Sequence, residues 1–176
     1  MVTEQNKTLK ALEVALQMEV DGKEYYLKLS RESRNELGKK LMRSLAAEED
    51  VHQQKFREIF SAVRSQKGWP ATDFQPDGGK RLRTIFARVV GGMTPGVPSP
   101  ATELEAIQIA IGMEDKTHNF YKSQGEGAAY AAERAFYAAL AAEEGEHRLI
   151  LLDYYEYLKD PAGWFALKER PSLDGG

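Results

Sequence analysis

The chain has 176 residues, a length that suits one domain and is enough to bury a core without a disulfide or metal staple. Apolar residues make up 42% and charged residues 29%, and 24 Lys+Arg against 27 Asp+Glu leave a net charge of −3, which argues against a nucleic-acid binder. The absence of cysteine removes disulfide frameworks, thiolate zinc and iron–sulfur centres and thiol nucleophiles, and no apolar run reaches the roughly 18 residues of a membrane span. The polar, mixed-charge N-terminus MVTEQNKTLKALE does not fit a signal peptide, so a cytoplasmic location is expected.

In chain order, a first helix is predicted over about 8–33, where Leu12, Ala15, Leu16, Tyr26 and Leu29 recur at helical spacing. Asn35 is a good N-cap for a second helix to about Gln66, carrying Leu41, Leu45, Phe56, Ile59 and Phe60. All seven prolines lie at or beyond Pro70. Five of them, with five glycines, crowd into 69–100, which reads as a long connection holding one short helix from Lys80 to Val90. Ser99 and Pro100 then suit a helix start. The third helix is expected to run to about Ser123 and to stop at Gly125. A fourth, alanine-rich over 128–142, is expected from about Glu126 to Lys159, before Pro161. Only a weak helical pattern follows in 161–170, and no strand pattern occurs anywhere. The expectation is an all-α four-helix bundle with a long crossover between helices 2 and 3. It forms one domain over 1–176, with helix pairs at 8–66 and 101–159, a connection at 67–100 and a tail at 160–176.

An internal repeat sharpens this. Sliding the chain on itself by 95 residues brings ALEVALQMEVDGKEYY onto AIQIAIGMEDKTHNFY and LAAEEDVH onto LAAEEGEH, without a gap. Each half is therefore one helical hairpin, and two such hairpins pack with pseudo-twofold symmetry. The repeat keeps more than apolar positions. Glu19 falls on Glu114, Glu49 on Glu144 and His52 on His147, although the chain holds only three histidines.

A glutamate and a histidine three apart on a helix share one side. Glu19 lies on a stripe with Leu12, Leu16 and Tyr26, and Glu114 on one with Ile107, Ile111 and Tyr121. Glu49 and Glu144 sit on the corresponding apolar stripes of the second and fourth helices. Carboxylates that point inward are costly unless paired, protonated or bound to metal, and four together repel one another. Two divalent cations balance four carboxylates, and two neutral imidazoles complete the shells. This donor set is that of carboxylate-bridged di-iron and di-manganese bundles. Carboxylate with imidazole and no sulfur suits iron or manganese, with zinc able to occupy the same donors, and iron is favoured if the chemistry is redox.

Other repeated residues divide between chemistry and packing. Tyr26 and Tyr121 suit either hydrogen bonds that orient ligand carboxylates or a place among core aromatics with a wet tip. Glu48 and Glu143 turn about 100° away from the neighbouring glutamates, which suits a surface or inter-helix role better than ligation. His118 lies near the inward face, but its repeat partner is Lys23, which argues against a ligand. Tyr154, Tyr155, Tyr157, Trp164 and Phe165 suit the cap of a bundle end better than an electron relay or a partner surface. Lys80, Arg81, Arg83 and Arg88 form either a small basic patch or a solvated helix face.

The motifs MEVDGKEYY with EEDVH and MEDKTHNFY with EEGEH resemble those of the rubrerythrin branch of the ferritin-like superfamily, over about 8–66 and 101–158. The resemblance implies a di-iron centre that reacts with hydrogen peroxide or dioxygen, usually in a dimer or larger homo-oligomer. Carried over by position, its ligands are Glu19, Glu49, His52, Glu114, Glu144 and His147. Two departures stand out. Rubrerythrins proper carry a C-terminal rubredoxin domain; with no cysteine here, reducing equivalents must come from a separate electron-donor protein. They also use an additional glutamate one turn after the third-helix ligand, where this chain has Thr117.

The leading expectation is a di-iron oxidoreductase that reduces hydrogen peroxide, acting without nucleic acid or membrane. The alternative is a ferroxidase or iron-storage protein built on the same bundle. A non-catalytic helical module, with its carboxylates paired to Lys or Arg, finds no repeated cation on the inward stripes and leaves both histidines unexplained.

Overall fold

A computed structural model describes residues 4–65, 68–71, 74–90 and 101–168. Among these residues there are six helices and no strand: α1 (Glu4–Glu32), α2 (Glu36–Arg64), α3 (Lys80–Val90), α4 (Ala101–Gly127), α5 (Ala131–Lys159) and α6 (Pro161–Lys168). α1 packs along α2 and α4 along α5, and the two hairpins meet at α1 and α4. α3 lies against α2, and α6 folds back on α5.

Local chemistry accounts for several ends. Asn35 has an extended backbone, and its side-chain oxygen accepts the Gly38 N–H at 2.7 Å, closing the start of α2. Its amide nitrogen donates to the Tyr154 hydroxyl at 3.1 Å, which ties the α1–α2 turn to α5. α2 ends at Arg64, where the Ser65 N–H bonds the Ser61 carbonyl; Gln66 lies outside the described residues, as do Ser99 and Pro100.

Gly125 does not stop the third helix. α4 continues through Glu126 to Gly127, and α5 begins at Ala131. A Cβ on Gly125 would stand 3.5 Å from Tyr137 Cβ and 3.7 Å from the Arg134 carbonyl oxygen. A side chain of one carbon would meet only ordinary contacts there, and a helix tolerates the glycine at a cost of about 1 kcal/mol. The C-terminal segment is likewise more regular than its pattern suggested, because Pro161 opens a full turn and Trp164 has a large surface to cover. Trp164 packs on Phe86 of α3 and Tyr157 of α5, with ring centroids 5.6 and 5.8 Å away. Tyr154, Tyr157, Trp164 and Phe165 thus cap one end of the bundle.

The core is in two parts. One apolar cluster gathers Tyr26 and Leu29 of α1, Leu41–Leu45 positions of α2, Ile107 and Ala110 of α4, and Ile150 to Leu158 of α5. The other gathers Leu12 and Ala15, Phe56 and Ile59, Tyr121, and Phe136 to Ala141. Every long helix passes from one cluster to the other, and the gap falls at Glu19, at Glu49 and His52, at Glu114, and at Glu144 and His147. A polar layer is sealed between two greasy ones.

Candidate dinuclear metal centre

The six residues singled out by the repeat come together in that layer, each no more than 3% exposed. They form two overlapping groups whose ligand-type atoms lie within 4.8 Å of one another. The first holds Glu19, Glu49, His52 and Glu144; the second holds Glu49, Glu114, Glu144 and His147. Glu49 and Glu144 belong to both.

The two imidazoles are stacked 5.9 Å apart at 15° and face the same way with respect to the cluster. His52 Nδ1 lies 3.1 Å from Glu19 and 3.2 Å from Glu49. His147 Nδ1 lies 3.3 Å from Glu144, 3.6 Å from Glu49 and 3.7 Å from Glu114. The outer nitrogens turn away. His52 Nε2 meets Glu143 at 3.2 Å, and His147 Nε2 meets Glu48 at 2.9 Å. Each histidine is therefore held by a glutamate of the other hairpin. A proton on Nε2, donated outward, leaves Nδ1 as the inward donor atom. Glu48 and Glu143 thus take the inter-helix role, on the side of the cluster away from α1 and α4.

The tyrosines also cross between hairpins. The Tyr26 hydroxyl donates to Glu114 and the Tyr121 hydroxyl to Glu19, so neither serves the glutamate of its own helix. Burial first, and then the facing carboxylate, raises both phenols well above their ordinary range and keeps them protonated donors.

Charge in the cluster is balanced internally. Burial, and then Glu49, pushes the Glu19 carboxyl well above its ordinary value; burial and Glu144 do the same to Glu114. Burial also penalises Glu49, as does Glu144, but bonds to Glu19, His147 and His52 outweigh both and bring it down to about 2. Glu144 is held well below its ordinary value in the same way, with bonds to Glu114 and both histidines overcoming burial. Burial disfavours the two imidazoliums, yet the carboxylates around them raise both well above the usual histidine value. With the raised groups protonated and the lowered ones ionised, two neutral carboxyls, two carboxylates and two imidazoliums would sum to zero. Two divalent cations, four carboxylates and two neutral imidazoles give the same sum.

The donor set fits a pair of metal ions on a second observation. Glu144 Oε1 and His147 Nδ1 are buried in the cluster and make no well-directed hydrogen bond, their nearest ionic neighbours standing 3.4 and 3.3 Å away. Unsatisfied buried polar atoms are costly, and a cation between them removes that cost.

On the α1–α4 side of the cluster lies a cavity of about 20 Å³, near the size of one water. The repeat pair Met18 and Met113 lines it, as does the pair Gly22 and Thr117, above Glu49 and Glu144. A Cβ on Gly22 would come within 3.9 Å of the Glu49 carboxyl carbon. Thr117 donates its hydroxyl to the Met113 carbonyl at 3.0 Å and offers no carboxylate. His118 stays outside the cluster, its Nδ1 2.6 Å from the Ala141 carbonyl oxygen.

A sealed layer of four glutamates and two histidines, drawn from four helices, defines a ferritin-like bundle with a site fit for two metal ions. The family model described as Rubrerythrin matches residues 10–90, so this part of the chain is similar to rubrerythrins. The match spans the first hairpin and α3; the second hairpin repeats the first. No curated protein and no solved structure matches the chain.

Proposed function

We propose that this chain is a di-iron oxidoreductase that reduces hydrogen peroxide to water with electrons from a separate donor protein. The ligands are Glu19, Glu49, His52, Glu114, Glu144 and His147. The observation that carries the reading is the overlap of the two four-residue groups at Glu49 and Glu144. On this reading Glu19 and His52 would help hold one ion and Glu114 and His147 the other, with Glu49 and Glu144 within reach of both. Iron, rather than manganese or zinc, supplies the two one-electron reductions that together break the O–O bond. The reaction consumes peroxide, two electrons and two protons and yields two waters.

The chain's own residues bind, orient and seal. Tyr26 and Tyr121 hold the terminal carboxylates, and Glu143 and Glu48 hold the imidazoles, so the donor atoms are fixed before any ion arrives. The cavity under Met18, Gly22, Met113 and Thr117 has room for one water-sized group beside the site, so only a very small oxidant could approach from that side. The apolar clusters on either side keep bulk water from the reacting atoms. We place the protein in the cytoplasm as a homo-oligomer, a dimer in the first instance.

Thr117 favours a second reading, iron oxidation and storage, because it stands where rubrerythrins have an additional glutamate. Anaerobic loading with ferrous iron, followed by stopped-flow mixing with peroxide or with oxygenated buffer, separates the two. Binding of about two irons per chain, oxidised far faster by peroxide than by dioxygen, is the result expected of a peroxidase. Dioxygen acting as fast, with iron uptake continuing well past two, makes storage the better account. A chain that binds no iron refutes both.

A further inference from the structure

The chain holds no cysteine, and a di-metal centre that reduces peroxide must be refilled with electrons from outside. α3, with the sequence KRLRTIFARVV, has four cations and no acid, in a chain whose net charge is −3. It buries Leu82 and Phe86 and turns Lys80, Arg81, Thr84 and Arg88 to solvent. Arg83 is engaged by Glu146 of α5, while among the described residues no ion pair engages Lys80, Arg81 or Arg88.

The same helix borders the metal centre. A cavity of about 310 Å³ opens beside it, lined among others by Arg81, Asp77, Phe74, Lys55, His52 and Glu143. His52 stands edge-on to Phe74, ring centroids 5.8 Å apart at 78°. His52 itself lines this cavity together with Phe74 and Glu143, whereas packed apolar layers close the two ends of the bundle. The acids nearby are few, and Asp77 alone among them keeps an exposed carboxylate at the start of α3. Asp77 accepts the Arg81 backbone N–H at 3.1 Å, Glu48 and Glu143 turn inward to the histidines, and Lys55 is paired with Glu58.

We infer that the α3 face and the adjoining segment 74–77 form the docking surface for an acidic one-electron carrier protein, which delivers electrons toward His52. The inference rests on the oxidoreductase reading. In each encounter a reduced carrier gives up one electron and leaves oxidised. Two encounters return two ferric ions to the ferrous state, and no bond is made or broken. An acidic surface is repelled by the chain as a whole and drawn to this patch, which orients the encounter and makes its rate depend on salt.

The test uses the iron-loaded full-length protein and two acidic carriers with different cofactors, a flavodoxin and a rubredoxin. Carrier binding is followed by calorimetry, and carrier reoxidation by stopped flow, at about 20 and about 300 mM salt, a range across which the Debye length falls several-fold. The variants are Arg81→Glu with Arg88→Glu, and the milder Arg81→Gln with Arg88→Gln, with iron content and helicity measured for each. The expected result is a fall of at least about tenfold in association rate, both on raising the salt and in the Glu variant, with an intermediate Gln variant. Equal rates in all variants and at both salts overturn the proposal, as does the absence of binding by both carriers. It is also overturned if RNA or anionic vesicles, and not the carriers, lose binding in the Glu variant. Carrier binding is measured on the metal-free protein as well. A chain that takes up no iron therefore refutes the oxidoreductase reading separately from the docking surface.

Discussion

Titrating the metal-free protein with zinc at pH 6 should release about four protons per chain as two ions bind. The number follows from the way the cluster balances its charge. Glu19, Glu114, His52 and His147 are all raised while Glu49 and Glu144 are lowered, and the count takes the first four as protonated and the last two as ionised at pH 6. Metal ligation requires four carboxylates and two neutral imidazoles, so four protons leave for two divalent cations. Each proton makes overall binding tenfold tighter per pH unit, about 1.4 kcal/mol. Calorimetry in two buffers of different ionisation enthalpy counts the protons directly. Release of fewer than about two would refute this account, because the carboxyls and imidazoles would then not be the groups that neutralise the layer. Stability gives a second check. Glu19, Glu114, His52 and His147 bind protons more tightly folded than unfolded, so their contribution is full below the unfolded values of 4.5 and 6.5. It is lost as pH rises through the folded values. The lowered carboxyls act oppositely. Their contribution is present above 4.5 and is lost as pH falls toward the folded values, about 2 for Glu49. The Tm of the metal-free protein should therefore fall from pH 6 to pH 9, while the increase in Tm produced by zinc grows over the same range.

Removing Glu19 or Glu114 should leave one bound ion per chain, whereas removing Glu49 or Glu144 should cost both, as read by metal analysis after desalting. Tyr26→Phe removes the hydroxyl that holds Glu114 and should weaken metal binding by about 10–100-fold in a chelator competition, with the fold unchanged by circular dichroism. Gly22→Leu should fill the cavity above Glu49, slowing azide binding to the ferric protein while two irons still load; unchanged azide kinetics would mean the cavity is not the route. Asn35→Ala loses the N-cap of α2 and the bond to Tyr154, and should lower stability by about 1–2 kcal/mol in urea unfolding, without change in metal content.

Much of this protein was legible without coordinates, for a physical reason. Helices are local, so the spacing of Leu12, Ala15 and Tyr26, or of Leu41, Leu45 and Phe56, reports which face is buried without reference to the rest of the chain. The 95-residue repeat supplied what spacing lacks: two inward glutamates and two Glu-x-x-His pairs related by one shift, which fall in one layer because both hairpins are built alike. Even Lys80–Val90 stood out, since prolines and glycines leave only that stretch free to coil. The tertiary structure decided everything that depends on height along a neighbouring helix. Periodicity alone does not say that Tyr26 reaches Glu114 and Tyr121 reaches Glu19, or that Glu143 holds His52 and Glu48 holds His147. Those partners come from opposite halves of the chain, exchanged by the pseudo-twofold axis. The same holds for Gly125, which lies against Tyr137 of α5 inside a helix instead of ending one. A one-dimensional pattern records which side of a helix is buried; which atoms meet there is set only when four helices are packed at a definite register.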